Sequence, residues 1–139
     1  MKLKVNFTSK LTKAKSVNEI IFVKNKNLKN NLNLILKAVI ENQLFEEELF
    51  IQKEHKNKNY IFVNCRKLSL SSEYENIGSK LFDYLENNKI ENSYIDISKI
   101  DINYIQLEKV LHGAKLKSYN FNIYKSTDKK NKNINLNIV

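Results

Sequence analysis

Short apolar segments of the strand type alternate along this chain with longer segments whose apolar residues recur at helical spacing. Near the amino terminus, Leu3, Val5 and Phe7 recur at a period of two, which is typical of a half-buried strand. Residues 20–23 form a continuous run rich in β-branched side chains, which favours an interior strand covered on both faces. This alternation predicts an α/β fold, with helices on both faces of a mixed sheet.

The next segments combine one helix pattern with one hairpin pattern. Apolar residues at spacings of three and four predict an amphipathic helix over residues 28–44. Two apolar runs, at residues 49–51 and 60–63, then flank the polar tract at residues 55–59. Two such runs around a short polar turn predict a β-hairpin, so the sheet is not expected to be purely parallel.

Capping patterns predict where two further helices begin. Ser72 and Glu75 have the spacing of a capping box, and the apolar positions that follow predict a helix to about residue 88. Residues 94–97 are a strand candidate, with Asp96 inside it. Asp101 is placed to cap a third helix.

The carboxyl-terminal part shows alternating apolar residues. Phe121 and Ile123 alternate with polar residues after the third helix, and the pattern recurs at Ile134, Leu136 and Ile138. These patterns predict strands, and the final run suits an edge strand or a strand that closes the sheet. The expected fold class is therefore a mixed, mostly parallel sheet flanked by helices on both faces, a macro-domain-like sandwich formed by residues 1–139 as a single domain.

Composition limits the class of protein. A chain of 139 residues has the length of one domain, and its formal net charge of +9 raises the question of nucleic-acid binding. Yet the positive charges are scattered, almost all are Lys, and Arg66 is the only Arg. Abundant Lys, Asn and Ile with no Pro indicate an AT-rich, bacterial-type genome. No apolar run approaches the roughly 18 residues of a membrane span, and neither a signal peptide nor a paired cysteine is evident, which favours a cytoplasmic protein.

Candidate chemical groups are few and far apart in sequence. His55 falls in the predicted hairpin turn and His112 in the third helix, so both are expected at the surface. Cys65 follows a strand and is expected to be an inert core or strand-end residue rather than a nucleophile. The acidic run at residues 46–48 is interpreted as a solvated turn, and Asp96 as a carboxylate that faces water. We therefore predict no catalytic, cofactor-binding or metal-binding residue in this chain.

The two glycines of the chain, Gly78 and Gly113, both fall inside predicted helices. They are thirty-five positions apart, so neither a dinucleotide-binding fingerprint nor a P-loop can be formed. That spacing argues against nucleotide binding, including an ADP-ribose reader of the macro-domain type. Both glycines are interpreted as structural, because a helical glycine costs about 1 kcal/mol relative to alanine unless close packing needs it.

The end of the third helix carries a family resemblance. The sequence from residue 111 reads LHGAKLKSYNFNIYK. It begins with a helical segment of small residues that contains Gly and then Leu. This segment is followed by Tyr119, Phe121, Tyr124 and Lys125. This segment resembles the end of the amino-terminal domain of the leucyl (cytosol) aminopeptidase family. The order of the earlier elements is similar as well. One departure is the sequence VNCRK at residues 63–67, where family members usually have a Gly-rich turn.

The resemblance implies a non-catalytic amino-terminal domain whose carboxyl-terminal metallopeptidase domain is absent. In that family, two divalent metals (Zn or Mn) lie in the catalytic domain, which releases amino-terminal residues from peptides. No residue of this chain corresponds to a ligand of those metals. The partner implied is the catalytic domain of the same parent. Full-length members are implied to be homohexamers, so the present chain is expected to be a monomer or weak oligomer. The alternative is a freestanding macro-like or nucleic-acid-binding module.

Overall fold

A computed structural model describes residues 2–7, 18–24, 48–55, 57–124 and 133–139, which form six strands and two α-helices. The strands are β1 (Lys2–Phe7), β2 (Asn18–Val23), β3 (Phe50–His55), β4 (Lys58–Asn64), β5 (Asn92–Ile95) and β6 (Asn133–Ile138). Helix α1 (Ser71–Asn87) follows β4, and a short 3-10 helix, η1 (Ile97–Lys99), precedes helix α2 (Tyr104–Tyr124). The helix predicted over residues 28–44 lies outside the described residues.

The strands form one sheet in the order β1-β6-β5-β2-β4-β3. Every neighbouring pair is parallel except β3 and β4, which are antiparallel. Parallel strands need a crossover connection, and α1 lies in the crossover from β4 to β5, which flank β2 in the sheet. The predicted fold class, a mixed and mostly parallel sheet combined with helices, is therefore confirmed.

The hairpin predicted in the middle of the chain is formed by β3 and β4. Its last cross-strand pair joins His55 to Lys58, so His55 ends a strand instead of lying in the turn. Asn57 in the turn has a φ of 63°, in the left-handed region. Asn tolerates that region better than most residues, because its short polar side chain can bond to the local backbone. The turn therefore forms without glycine.

The hydrophobic core lies between the sheet and the two described helices. Alternate residues of the central strands, such as Ile20 and Phe22 of β2, belong to the same buried cluster as the apolar stripe of α1. That stripe comprises Tyr74, Ile77, Leu81, Phe82 and Leu85, which are the positions predicted from the helical spacing. Burial of this stripe is the main driving force for docking α1, since apolar area removed from water contributes about 25 cal/mol per Å².

The two helices cross where each has its glycine. A Cβ atom added to Gly78 would lie 1.9 Å from the carbonyl oxygen of Val110, and one added to Gly113 would lie 1.8 Å from the carbonyl oxygen of Glu75. Both distances are far shorter than any van der Waals contact. The hydroxyl of Ser79 also donates to the Gly113 carbonyl oxygen at 3.2 Å. Both glycines are therefore required by backbone-to-backbone packing, and this explains their helical positions.

The helix starts differ from those predicted. The first helix begins at Ser71, and the Glu73 carboxylate, not that of Glu75, accepts a hydrogen bond from the amide of its N-cap residue, Leu70, at 3.0 Å. The second begins at Tyr104, where Asn103 and Gln106 cap each other through reciprocal side-chain bonds of 2.8 and 3.0 Å. Ser72 and Asp101, which have cap-type side chains, therefore do not cap these helices.

The alternation at Phe121 and Ile123 was wrongly interpreted as a strand. Both residues lie in α2, which continues to Tyr124. Two alternating apolar residues are too few to distinguish a strand from a helix by periodicity. The strand predicted around Ile134, Leu136 and Ile138 is confirmed as β6, which pairs with both β1 and β5.

Candidate functional site

A ligand site in a parallel sheet of this kind is expected at the carboxyl ends of the strands. In open α/β sheets, ligands bind in the crevice outside these ends, at the point where the strand order reverses. Here that point lies between β5 and β2. The chain places β4 on one side of β2 and then returns to place β5 on the other side of β2. The residues that follow the strands there are Lys24, Cys65 and Asp96.

Lys24 is bonded to its own chain in this crevice. Its backbone amide donates to the Asp101 carboxylate at 2.8 Å, and its ammonium group donates to the carbonyl oxygen of Leu68. The same ammonium group lies 5.5 Å from the centre of the Tyr74 ring, within the range of a cation–π contact. The lysine side chain thus joins the end of β2 to the loop before α1.

Cys65 lies at the end of β4 and is completely buried. Its amide donates to the carbonyl oxygen of Val23 at 2.8 Å. Burial raises the pKa of the thiol to about 12, and the nearby charge of Lys24 offsets this only in part. A protonated, buried thiol is a poor nucleophile. The prediction of an inert strand-end cysteine agrees with this environment.

The turn after Cys65 forms without the Gly-rich sequence typical of the leucyl aminopeptidase family. The Leu68 amide donates to the Cys65 carbonyl oxygen at 3.2 Å, and the Arg66 amide donates to the Asn64 side-chain oxygen, also at 3.2 Å. Among the described non-glycine residues, only Asn57 and Lys89 have positive φ. The turn at residues 65–68 therefore has no backbone conformation that requires glycine.

Carboxylates occupy the helix starts that border the crevice. Glu73 accepts from the amides of Ser69 and Leu70, and these bonds, that of Leu70 foremost, hold its pKa below the usual value. Asp96 accepts from the amide of Ser98 at 3.0 Å and from its hydroxyl at 2.7 Å. Helix N-termini attract anions through free amides and the helix dipole. Here two acidic side chains already satisfy that role, which disfavours a phosphate ligand at these helix starts.

Asp96 therefore has a different role from the one predicted. It follows β5, which ends at Ile95, and it is the N-cap of η1. A short polar side chain at an N-cap satisfies an amide that lacks a helical partner. Asp96 is half-buried, not freely exposed to water.

The remaining predicted residues are placed apart. His112 lies on the exposed side of α2, with its Nδ1 3.5 Å from a carboxylate oxygen of Glu75, and Glu48 is exposed before β3. His55 ends β3, while residues 46 and 47 lie outside the described residues. Within the described ranges, no group of three or more His, Cys, Asp or Glu side chains could hold a metal ion.

A buried ionic cluster near the starts of β2 and β4 was missed by the sequence analysis. Glu19 in β2 has a side chain only 1% exposed, and its register pairs it with Tyr60 of β4 and Tyr94 of β5. One carboxylate oxygen accepts from the Tyr94 hydroxyl and from the Lys58 ammonium group, each at 2.7 Å. The one sequence signal for this cluster is a glutamate directly before the apolar run at residues 20–23.

The same cluster surrounds the Lys58 ammonium group with two aromatic rings. Its nitrogen lies 5.3 Å from the centre of the Tyr60 ring and 4.8 Å from that of Tyr94. Burial, and then the bond to Glu19, raise the pKa of Tyr94, so its hydroxyl stays protonated and donates. The lysine side chain is 29% exposed, whereas the carboxylate below it is sealed. We call Glu19, Tyr60 and Tyr94 the ammonium cage.

A separate groove of about 510 Å³ lies between the edge strand β1 and α2. Val5, Phe7 and Leu111 contribute its apolar lining, and Glu108, Lys109, His112 and Lys115 complete it. Phe7 is 76% exposed.

In the part of the chain that the structure describes, neither helix is long and apolar enough to cross a membrane.

Comparison with known proteins gives a fold relationship only. No protein-family model and no curated protein sequence matches the chain. Among solved structures, a tomato leucine aminopeptidase mutant superimposes with a TM-score of 0.57 and 13% identity over 99% of this chain. The match covers 32% of that enzyme's chain, so the present chain spans about a third of its length.

The macrodomain of Thermus aquaticus DarG is a second structural neighbour. It superimposes with a TM-score of 0.52 and 7% identity, and the match covers 98% of this chain and 97% of that one. Identities this low show a shared fold and nothing finer. The resemblance to leucine aminopeptidase is thus supported at the level of fold, alongside an equally extensive resemblance to a macrodomain.

Proposed function

We propose that this chain is the non-catalytic amino-terminal domain of a metal-dependent leucyl aminopeptidase. The observation that carries the proposal is the superposition of 99% of this chain on only 32% of a leucine aminopeptidase. A whole domain that corresponds to part of a longer enzyme is expected of an accessory domain. The segment around Tyr119 and Lys125, which resembles the same family, supports this assignment from the sequence.

The chemistry of the crevice favours an accessory role over ligand binding. Lys24 is bonded to Leu68 and Asp101, Cys65 is buried, and Glu73 occupies a helix start. Each of these groups has a structural bond or a buried position in the isolated fold. The domain would therefore support assembly and stability, while two divalent metals in the catalytic domain would activate the water that cleaves the peptide.

Leucine-anilide hydrolysis with added manganese or zinc tests the proposal. We would compare this chain, the longest reading frame that contains it, and the remainder of that frame without residues 1–139. Activity is expected in the longest product and not in the present chain. Reduced activity or assembly of the remainder alone would measure what this domain contributes. Metal-dependent turnover by the present chain would overturn the proposal.

The second candidate is a freestanding macro-like or nucleic-acid-binding module. It is favoured by the match to 97% of the DarG macrodomain chain and by the net charge of +9. Calorimetry with ADP-ribose tests the macro-like form, and oligonucleotide binding at several salt concentrations tests the other, because phosphate contacts weaken steeply with salt. Saturable binding in either assay would favour this candidate over the accessory domain.

A further inference from the structure

The outer side of β1 carries backbone groups that are free to bond. Within the described ranges β1 pairs with β6 alone, so its other side is an edge of the sheet. The Leu3 amide donates to Oγ of Ser118 in α2 at 2.6 Å, which shows that the backbone groups of Leu3 point away from β6. Successive residues of a strand direct these groups to opposite sides, so those of Val5 and Phe7 point outward as well. Among the described residues, they have no hydrogen-bond partner.

The groove between β1 and α2 runs beside this free edge. Val5 and Phe7 line it from the strand, and Leu111 lines it from the helix. The Leu3 side chain is buried, Val5 is half-buried and Phe7 is 76% exposed, so α2 covers the start of β1 and leaves its end open. An apolar strand edge with free amides and carbonyls is a template to which another strand can add.

Two lysines of α2 give the groove its charge. Lys109 and Lys115 line it, and neither forms an ion pair within the part of the chain that the structure describes. Glu108 also lines the groove, while His112 already faces the Glu75 carboxylate. Because each copy of the chain carries a net charge of +9, two copies paired through β1 would repel each other. A partner with acidic side chains has the complementary charge.

We propose that β1 and α2 form a docking site for an acidic, extended peptide segment of a partner protein, which adds to the sheet as a strand beside β1. The backbone of the peptide bonds to the outward amides and carbonyls of Val5 and Phe7. Its apolar side chains at alternate positions lie against Phe7 and Leu111, and acidic side chains on the same face pair with Lys109 and Lys115. This site does not depend on the proposed aminopeptidase kinship.

The test uses the nonapeptide SETVSVTES, whose valine and glutamate side chains share one face when it is extended. The fluorescein-labelled peptide is titrated with the 139-residue chain, and binding is followed by fluorescence anisotropy. We expect saturable binding that Lys115→Glu and Phe7→Ala each weaken at least about fivefold, because they remove a charge pair and an apolar contact. Lys80→Glu makes the same charge change at an exposed position of α1 and should alter binding by less than about twofold.

Backbone methylation distinguishes strand addition from a purely ionic contact. In an added strand, alternate peptide amides point toward β1 and the others point toward solvent. Of two peptides N-methylated at one or the other set of alternate amides, one should therefore lose binding and the other should keep it. Hydrogen exchange of the Val5 amide should slow in the complex, whereas that of the Leu3 amide, already bonded to Ser118, should change less.

The unsubstituted protein is sufficient to overturn the proposal, so the outcome does not depend on how the variants fold. Absence of saturable binding up to about 1 mM protein would do so. Equal binding of SKTVSVTKS would show that the acidic side chains are not recognised, and equal binding of the two methylated peptides would exclude strand addition. A stable dimer in sedimentation velocity that Phe7→Ala abolishes would assign the edge to a second copy of this chain instead.

Discussion

At the scale of single residues, the Glu73 carboxylate at the start of α1 makes the stability of the fold depend on pH. Its pKa is lower in the folded state because Leu70 and Ser69 donate to it, so it stabilises the fold above its ordinary pKa of 4.5. That stability is lost as the pH falls through the folded pKa. Glu73→Gln is therefore expected to lower the free energy of unfolding at pH 7, and the difference from the unsubstituted protein should shrink below pH 4.5. Urea denaturation at several pH values measures both effects.

Glu75→Gln is the matched control for this prediction, because sequence spacing alone assigns the cap to Glu75. Its carboxylate lies 3.5 Å from the exposed His112 ring and does not accept from the N-cap amide. We expect a smaller loss of stability than for Glu73→Gln. A larger loss of stability in Glu75→Gln than in Glu73→Gln would instead support the cap predicted from the sequence.

Cys65 gives a second prediction at the residue scale. With the pKa of its thiol raised to about 12, the native thiolate fraction at pH 8 is about a thousandfold smaller than that of an ordinary cysteine. Reaction with a disulfide reagent such as Ellman's reagent should be slow by a similar factor in native protein, and rapid in guanidinium chloride. Fast native labelling at pH 8 would show that the thiol is accessible and ionised.

At the scale of elements, the crossing of α1 and α2 depends on its two glycines. Gly78→Ala and Gly113→Ala each place a methyl group within 2 Å of a backbone carbonyl oxygen of the other helix. The helices must separate to accommodate it, so we expect each change to destabilise the protein by about 3 kcal/mol. Asn76→Ala, at an exposed position of α1, is the control and should change stability by less than about 0.5 kcal/mol. Chemical denaturation measures all three, and equal effects would contradict close packing.

Elements set by local periodicity could be predicted from the sequence. The continuous apolar run of β2, the two apolar runs around the polar turn between β3 and β4, and the three-and-four spacing of the α1 stripe are all patterns contained in short stretches of sequence. The cap of α1 could not be predicted, because its N-cap residue, Leu70, has no cap-type side chain, whereas Ser72 and Glu75 have the spacing of a capping box. The period of two at Phe121 and Ile123 was misleading because α2 continues through it.

The glycine crossing and the ammonium cage required contacts that no local pattern contains. Gly78 was interpreted as structural from its helical position, but the packing contact that requires it, with the Val110 carbonyl group, is known only from the helix crossing. Glu19 and Tyr94 are separated by 75 positions and meet because the chain returns to place β5 beside β2. A charged residue next to an interior strand is the kind of local inconsistency that marks a special site.

At the scale of the whole molecule, the two ends of the parallel strands have different character. At the carboxyl ends, Lys24 and Asp101 are tied by structural hydrogen bonds, and carboxylates cap the helix starts. Near the amino ends of β2 and β4, the buried Glu19 carboxylate forms an ion pair with the partly exposed Lys58. The usual ligand crevice of this architecture is thus used for internal bonding, which is consistent with an accessory domain.

The proposed accessory role also predicts how this chain assembles. Should the catalytic domain supply the central contacts of a hexamer, the present chain should sediment as a monomer, with weak self-association at high concentration. The exposed apolar side chains of Phe7, Ile105 and Tyr119, each at least 66% accessible, are a source of such weak contacts. Sedimentation velocity over a hundredfold concentration range measures the oligomeric state of this chain. The product of the longest reading frame is measured in parallel, and a hexamer is expected for it. A stable hexamer of the present chain would place the assembly contacts in this domain, and the division of roles between the two domains would then be wrong.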